Sequence, residues 1–337
     1  MQENHSLVRR SVQPPIQPRI RPTLVLPLGI VASSTASILI RFAQTEAPSL
    51  VIAAYRLGLA TLILVPVLFS RHRSELKAMT QREIHLTLAA GGLLAVHFAT
   101  WITSLEYTTV TSSVVLVQTS PLFVALLSPL LLRESLTRFT MFGLTLALIG
   151  SLIVGISDVC AWAGGFQCPP ITDFLQGIAI KGDLLAIVGA VAVAGYILIG
   201  RRLRSSVTLI PYITLTYGAA AVVLTTMMLM AGQTPFGYTP QIYLWLTLLA
   251  LLPQLFAHTT YNWALRYLPA VVVSISLLGE PVSSTILAFF ILRETPTMLR
   301  LSGATIILVG IAVASRRPNL TMEETNTHES TEKSSRQ

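Results

Sequence analysis

The sequence predicts an all-α integral membrane protein of ten transmembrane helices, arranged as two five-helix repeats of inverted topology. Three observations predict it. Charged residues are only 11% of the chain and apolar residues 53%, with a mean hydropathy of +0.68; soluble domains carry roughly 25% charge. Apolar runs long enough to cross about 30 Å of hydrocarbon recur along the whole chain. And the chain matches itself when shifted by 160 residues.

Taken in order, the spans fall near 23–43, 48–69, 84–105, 109–131 and 138–156, then near 182–200, 208–231, 242–264, 270–292 and 298–315. The division is a cytoplasmic tail 1–21, a first repeat 22–157, an outer loop 158–181, a second repeat 182–316 and a second tail 317–337. Both tails are polar and are expected to be disordered. The run Leu24 to Ile40 could pass for a secretion signal, but the repeat argues that it stays as the first span.

Lysine and arginine set the orientation. With the N-terminus inside, 18 of them lie in the tails and inner loops; only Arg41, Lys181, Arg293 and Arg300 lie outside, and Arg56 lies within a span. Both termini are therefore expected in the cytoplasm, of a bacterial inner (plasma) membrane. The net charge of +8 does not suggest nucleic acid. Its arginines sit singly or in pairs at the ends of apolar runs, as topological flanks do, and form no phosphate-binding stripe.

The repeat is more than leucine coincidence. Tyr107 falls on Tyr267, Pro121 on Pro281, Arg133-Glu134 on Arg293-Glu294, and Gly143 and Gly150 on Gly303 and Gly310. Arg41 falls on Arg201. Five spans per unit is an odd number, so the second unit enters the membrane from the opposite face. Inverted repeats give many secondary transporters two access states around a midplane site.

The segments from Ser120-Pro121 to Arg133-Glu134 and from Glu280-Pro281 to Arg293-Glu294 resemble the fourth- and ninth-helix signatures of the drug/metabolite transporter superfamily, EamA type. Tyr55-Arg56 is similar to that family's second span. The resemblance covers about 22–316. It implies a secondary transporter, an exporter of a small metabolite or drug-like solute working by alternating access. The chain departs from the pattern where arginine replaces the usual glycine before Glu134 and Glu294, and its outer loop is longer.

Ionisable groups in the bilayer cost about 2.5–3.5 kcal/mol each on insertion scales, so each one needs a reason. Glu280 lies mid-span with Ser276, Ser283 and Ser284 on its face, and Pro281 beside it is expected to kink the helix. It reads either as a substrate or ion site, with proton coupling, or as a structural partner of Arg56. His97 and Trp101 form one amphipathic aromatic face; His258, Tyr261 and Asn262 form another. Either histidine could relay a proton, or sit neutral and bridge helices. Gln118, one turn before the expected kink at Pro121, bonds solute or bridges helices. Glu134 and Glu294, at span ends next to Arg133 and Arg293, read as interfacial caps or pairs. Together these place a cavity between the second, third, fourth, eighth and ninth spans.

Cys160 and Cys168 share the outer loop and are candidates for a disulfide. No metal-ligand spacing, nucleotide loop or hydrolase motif is present, so neither metal nor cofactor is expected and the chain is not read as an enzyme. The expected partners are a small-molecule substrate and membrane lipid, and a homodimer is left open. Two other classes compete: an intramembrane enzyme acting on lipid, which the short loops disfavour, and a non-transporting membrane scaffold.

Overall fold

The computed structural model describes residues 20–159, 161–162, 166–168, 178–287, 289–290 and 295–316. Residues 1–19 and 317–337 of the tails expected to be disordered, Cys160 and Arg293-Glu294 lie outside those residues. Nine of the described helices are long and apolar enough to cross a membrane: Pro22–Ala43, Ser49–Arg71, Gln81–Tyr107, Ser112–Leu131, Arg138–Ser157, Ala179–Leu203, Leu209–Met230, Pro240–Ala264 and Ala270–Leu287. A tenth, Met298–Ala314, has 17 residues, the lower end of a spanning length. They are called the first to tenth spans below. The largest departure from expectation is the sixth, whose helix begins at Ile178 and so shortens the outer loop. In that loop Ala161–Trp162 pairs antiparallel with Phe166–Gln167.

The sequence marks where the spans start. Thr80 and Glu83 cap the third span reciprocally, and the hydroxyls of Thr109 and Thr297 accept N–H groups of the fourth and tenth spans. Each satisfies donors that the first turn of a helix leaves free.

Three spans are broken at mid-depth. The first stops at Ser33 and restarts at Ala36. The fourth stops at Val117 and restarts at Ser120. The ninth stops at Leu277 and restarts at Glu280. Pro121 and Pro281 therefore do not kink continuous helices, as the sequence led us to expect. Each lies in the first turn of a new half-helix, where a missing N–H costs nothing. The eighth span widens into a π-helical stretch, Ala250–His258, around Pro253.

The fifth and tenth spans cross on the four repeated glycines. A Cβ on Gly143 would lie 2.5 Å from the Gly310 carbonyl oxygen and the Ala314 nitrogen; one on Gly310 would lie 2.6 Å from the Ala147 nitrogen. Only glycine permits this backbone approach, which replaces the hydrophobic drive that lipid does not supply. The ends of the halves are tied by carboxylates. Glu46 accepts the N–H and hydroxyl of Thr239 at 3.0 and 2.9 Å on the side away from the termini. On the terminal side Glu83 accepts from Ser206 at 2.7 Å and Glu75 accepts from the Thr208 hydroxyl, which holds the Glu75 carboxyl below its ordinary range.

Candidate functional site

At mid-depth the spans line a cavity. All eight residues singled out in the sequence line it: Arg56, His97, Trp101, Gln118, His258, Tyr261, Asn262 and Glu280. They come from the second, third, fourth, eighth and ninth spans, and thus from both repeats. The first span adds Ser33 and the sixth adds Tyr196, so the wall is wider than the five spans expected. Under the 160-residue shift Trp101 falls on Tyr261 and Phe98 on His258, whereas Arg56 falls on Thr216 and Glu280 on Ser120. The aromatic walls thus repeat, while each charge belongs to one half alone.

Arg56 is only 1% exposed. Its Nε donates to Gln254 Oε1 at 2.9 Å, and its guanidinium lies 4.2 Å from the centroid of the Phe98 ring. Gln254 reaches this position from the π-helical stretch of the eighth span, which turns it and His258 inward together. Arg56 Nη1 has no hydrogen-bond partner among the described residues. Such a donor, desolvated and unmatched, is costly unless something else meets it.

Of the two readings of Glu280, the ion pair with Arg56 does not form among the described residues. Arg201 with Glu134 is an ion pair among the described residues, and Glu280 is in none that is seen there. Glu280 instead opens the second half of the ninth span and accepts the Ser33 hydroxyl at 2.5 Å, across the break in the first span. Two groups of opposite charge type thus line one cavity without direct contact.

The walls between them are aromatic. His97 stacks on Trp101, with centroids 5.8 Å apart and planes 13° apart. His97 Nδ1 lies 2.9 Å from the Gly189 carbonyl of the sixth span. A carbonyl only accepts, so Nδ1 is the donor. Phe98 lies 5.4 Å from His258, which lies 5.8 Å from Tyr261. Asn262 Nδ2 donates to Tyr196 Oη at 2.5 Å and to the His258 carbonyl at 2.7 Å, a fixed polar corner. Gln118 Oε1 accepts from Ser151 at 2.8 Å, while its Nε2 and Trp101 Nε1 have no partner among the described residues.

The cavity is open at one end. Toward the side away from the termini it continues into a vestibule with Val114, Val115, Gly155, Ser284 and Arg300 in its walls. Toward the terminal side it is floored. Arg201 Nε meets Glu134 Oε1 at 2.6 Å, and Arg201 Nη1 donates to the carbonyls of Leu265 and Arg266 at 2.8 and 3.3 Å. Glu134 Oε2 accepts the Ala270 N–H at 3.1 Å and so caps the ninth span. Leu265 and Val273 line the cavity directly above. Glu134 was expected to be an interfacial cap or pair, and it is both, but its partners belong to the other repeat. Its neighbour Arg133 adopts a left-handed backbone, φ 57°.

Sequence reasoning passed over Ser33, Tyr196, Gln254 and Arg201. Gln254 was legible as a polar side chain inside an apolar run, and Ser33-Ser34-Thr35 as a polar interruption of the first. Arg201 looked like an orientation signal and nothing more.

A chain of ten membrane helices in two halves, with a polar cavity where the halves meet, is a multi-pass integral membrane protein of the transporter class. The EamA-like transporter family model matches residues 22–156 and 180–316, one stretch for each repeat, and the chain belongs to that family. It is 23% identical over 295 residues to an uncharacterized transporter of Archaeoglobus fulgidus, covering 87% of this chain and 97% of that one. It is also 23% identical over 268 residues to the uncharacterized transporter YyaM of Bacillus subtilis, covering 78% and 83%. A crystal structure superposes with a TM-score of 0.70 at 20% identity, covering 87% of this chain and 96% of that one; it speaks to the fold. The protein is thus a membrane transporter.

Proposed function

We propose that the protein carries a small amphipathic organic solute bearing an anionic group, by alternating access, with both termini in the cytoplasm. One observation carries the reading: a mid-depth cavity between inverted repeats opens to the far side and is floored on the terminal side by the Arg201–Glu134 pair. Alternating access needs such a state and its mirror, with the floor broken and the far side shut. The lysine and arginine distribution supports the orientation.

Arg56 supports the anionic group. Its unpartnered Nη1 is a buried charged donor on the cavity wall, and charge-assisted hydrogen bonds are about twice as strong as neutral ones. Trp101, His97, His258 and Tyr261 offer the aromatic surface that an organic body of moderate size fills.

The test begins with a metabolite screen of cells with and without the protein. Candidates that accumulate or deplete are then measured for flux into vesicles. Arg56→Gln, expressed and folded, is expected to lose flux of the anionic solute. Undiminished flux in Arg56→Gln would remove the anion-binding role.

A further inference from the structure

We propose that the crossing of the broken first and ninth spans, beside Glu280, is a cation site, taking a sodium-sized monovalent ion or the ammonium group of the transported solute. Four observations lead there.

First, Glu280 is a carboxylate at membrane depth that forms no ion pair among the described residues. An unpaired charge at that depth needs a counter-charge or it is heavily penalised. Second, the first halves of both broken spans, Pro22–Ser33 and Ala270–Leu277, run from the terminal side and end at this point. Each helix C-terminus presents about half a negative charge. Third, the breaks release main-chain acceptors. The backbone turns there are closed by Thr35 N–H to the Ala32 carbonyl at 3.4 Å and by Gly279 N–H to the Ser276 carbonyl at 3.0 Å. The carbonyls of the turn residues Ser34 and Leu278 receive no backbone hydrogen bond among the described residues. Fourth, the Ser33 hydroxyl donates to Glu280 at 2.5 Å, which holds the two breaks together and leaves the hydroxyl lone pairs available.

The donors are all hard oxygens: a carboxylate, a hydroxyl and freed carbonyls. That set suits a small alkali cation or an ammonium group and suits no soft metal. Unwound carbonyls and half-helix C-termini are the devices by which broken helices hold monovalent cations. Access exists, because Ser33 and Glu280 line both the central cavity and the vestibule. Arg56, on a different wall, stays free for the opposite charge.

The experiment is thermal unfolding of the purified full-length protein in detergent at fixed ionic strength. Sodium and ethanolamine are each titrated against choline, with Glu280→Gln and Ser33→Ala in parallel. No transported solute has to be known, so the outcome is independent of whether flux of any particular solute is found. A saturable rise in Tm with sodium, absent in Glu280→Gln, assigns the inorganic ion. The same rise with ethanolamine alone assigns an ammonium group. In either case Ser33→Ala is expected to raise the half-saturating concentration about tenfold, a reading that survives if Glu280→Gln fails to fold. Identical unfolding in sodium, ethanolamine and choline overturns the proposal. So does a wild-type response in Glu280→Gln, or a Tm that responds to pH and to neither cation, which would make Glu280 a proton site.

Discussion

Glu134→Gln isolates the charge that floors the cavity. Glutamine keeps a carbonyl oxygen for the Ala270 N–H, so the ninth span stays capped while the attraction to Arg201 is lost. The side chains of Arg201 and Glu134 are 24% and 19% exposed, so the pair lies between a surface bridge and a buried one. Exposed pairs contribute about 0–1 kcal/mol, and breaking buried ones costs about 3–5. With Arg201 still bonded to two carbonyls, about 1–2 kcal/mol is expected here. A difference of about 1.4 kcal/mol is tenfold in an equilibrium constant. If the pair exists only while the terminal side is shut, the variant should populate the terminal-side-open state about tenfold more. Val273 is 1% exposed and sits just above the floor, so it reports that opening. In a Cys160→Ala, Cys168→Ala background, Val273→Cys should react with a charged maleimide from the terminal side about tenfold faster when Glu134→Gln is added. Arg201→Gln should give the same acceleration, and the double variant no more than either alone. An unchanged rate in a folded Glu134→Gln protein refutes the reasoning.

Other substitutions test the fold. Arg133 holds a left-handed backbone that costs a side-chain-bearing residue about 1–2 kcal/mol, so Arg133→Gly is expected to raise Tm by a few degrees; a fall would show that its side chain matters more than its backbone. Gly143→Ala places a Cβ against backbone atoms at 2.5 Å and should lower stability by about 1–3 kcal/mol, whereas Gly92→Ala, with open space around it, should leave Tm near wild type. Cys160 and Cys168 are expected to form a disulfide worth about 2–3 kcal/mol by loop closure. Among the described residues no cysteine is free. Two thiols that both react without reductant would rule the bridge out.

Most of the fold was legible because a bilayer leaves few choices. Backbone groups in hydrocarbon must pair within helices, so apolar run length alone placed the spans. The 160-residue shift supplied the two repeats, and Gly143 and Gly310 proved to be a crossing because only packed backbones need glycine at that spacing. What periodicity cannot show is how a helix breaks. Pro281 signalled disturbance, yet whether it would kink a helix or begin one depends on Leu278 and Gly279 bonding three residues back instead of four, beside Ile30 of the first span, and no local spacing shows that. The eight cavity residues were legible because charge and amide groups are conspicuous in apolar runs. Their pairing was not. Arg56 found Gln254 and Glu134 found Arg201, partners distant in sequence that no local spacing predicts.

The central claim is that a solute crosses by a cavity exposed to one side at a time. Exchange across vesicles tests it directly. The purified chain is reconstituted, loaded with labelled solute from the metabolite screen, and efflux is timed with and without unlabelled solute on the opposite side. Alternating access predicts saturable flux that speeds up when solute waits on the other side, because a loaded carrier returns without the slow empty step. Flux that grows linearly with concentration and ignores solute on the far side would contradict it, and would mean that the cavity opens to both sides at once.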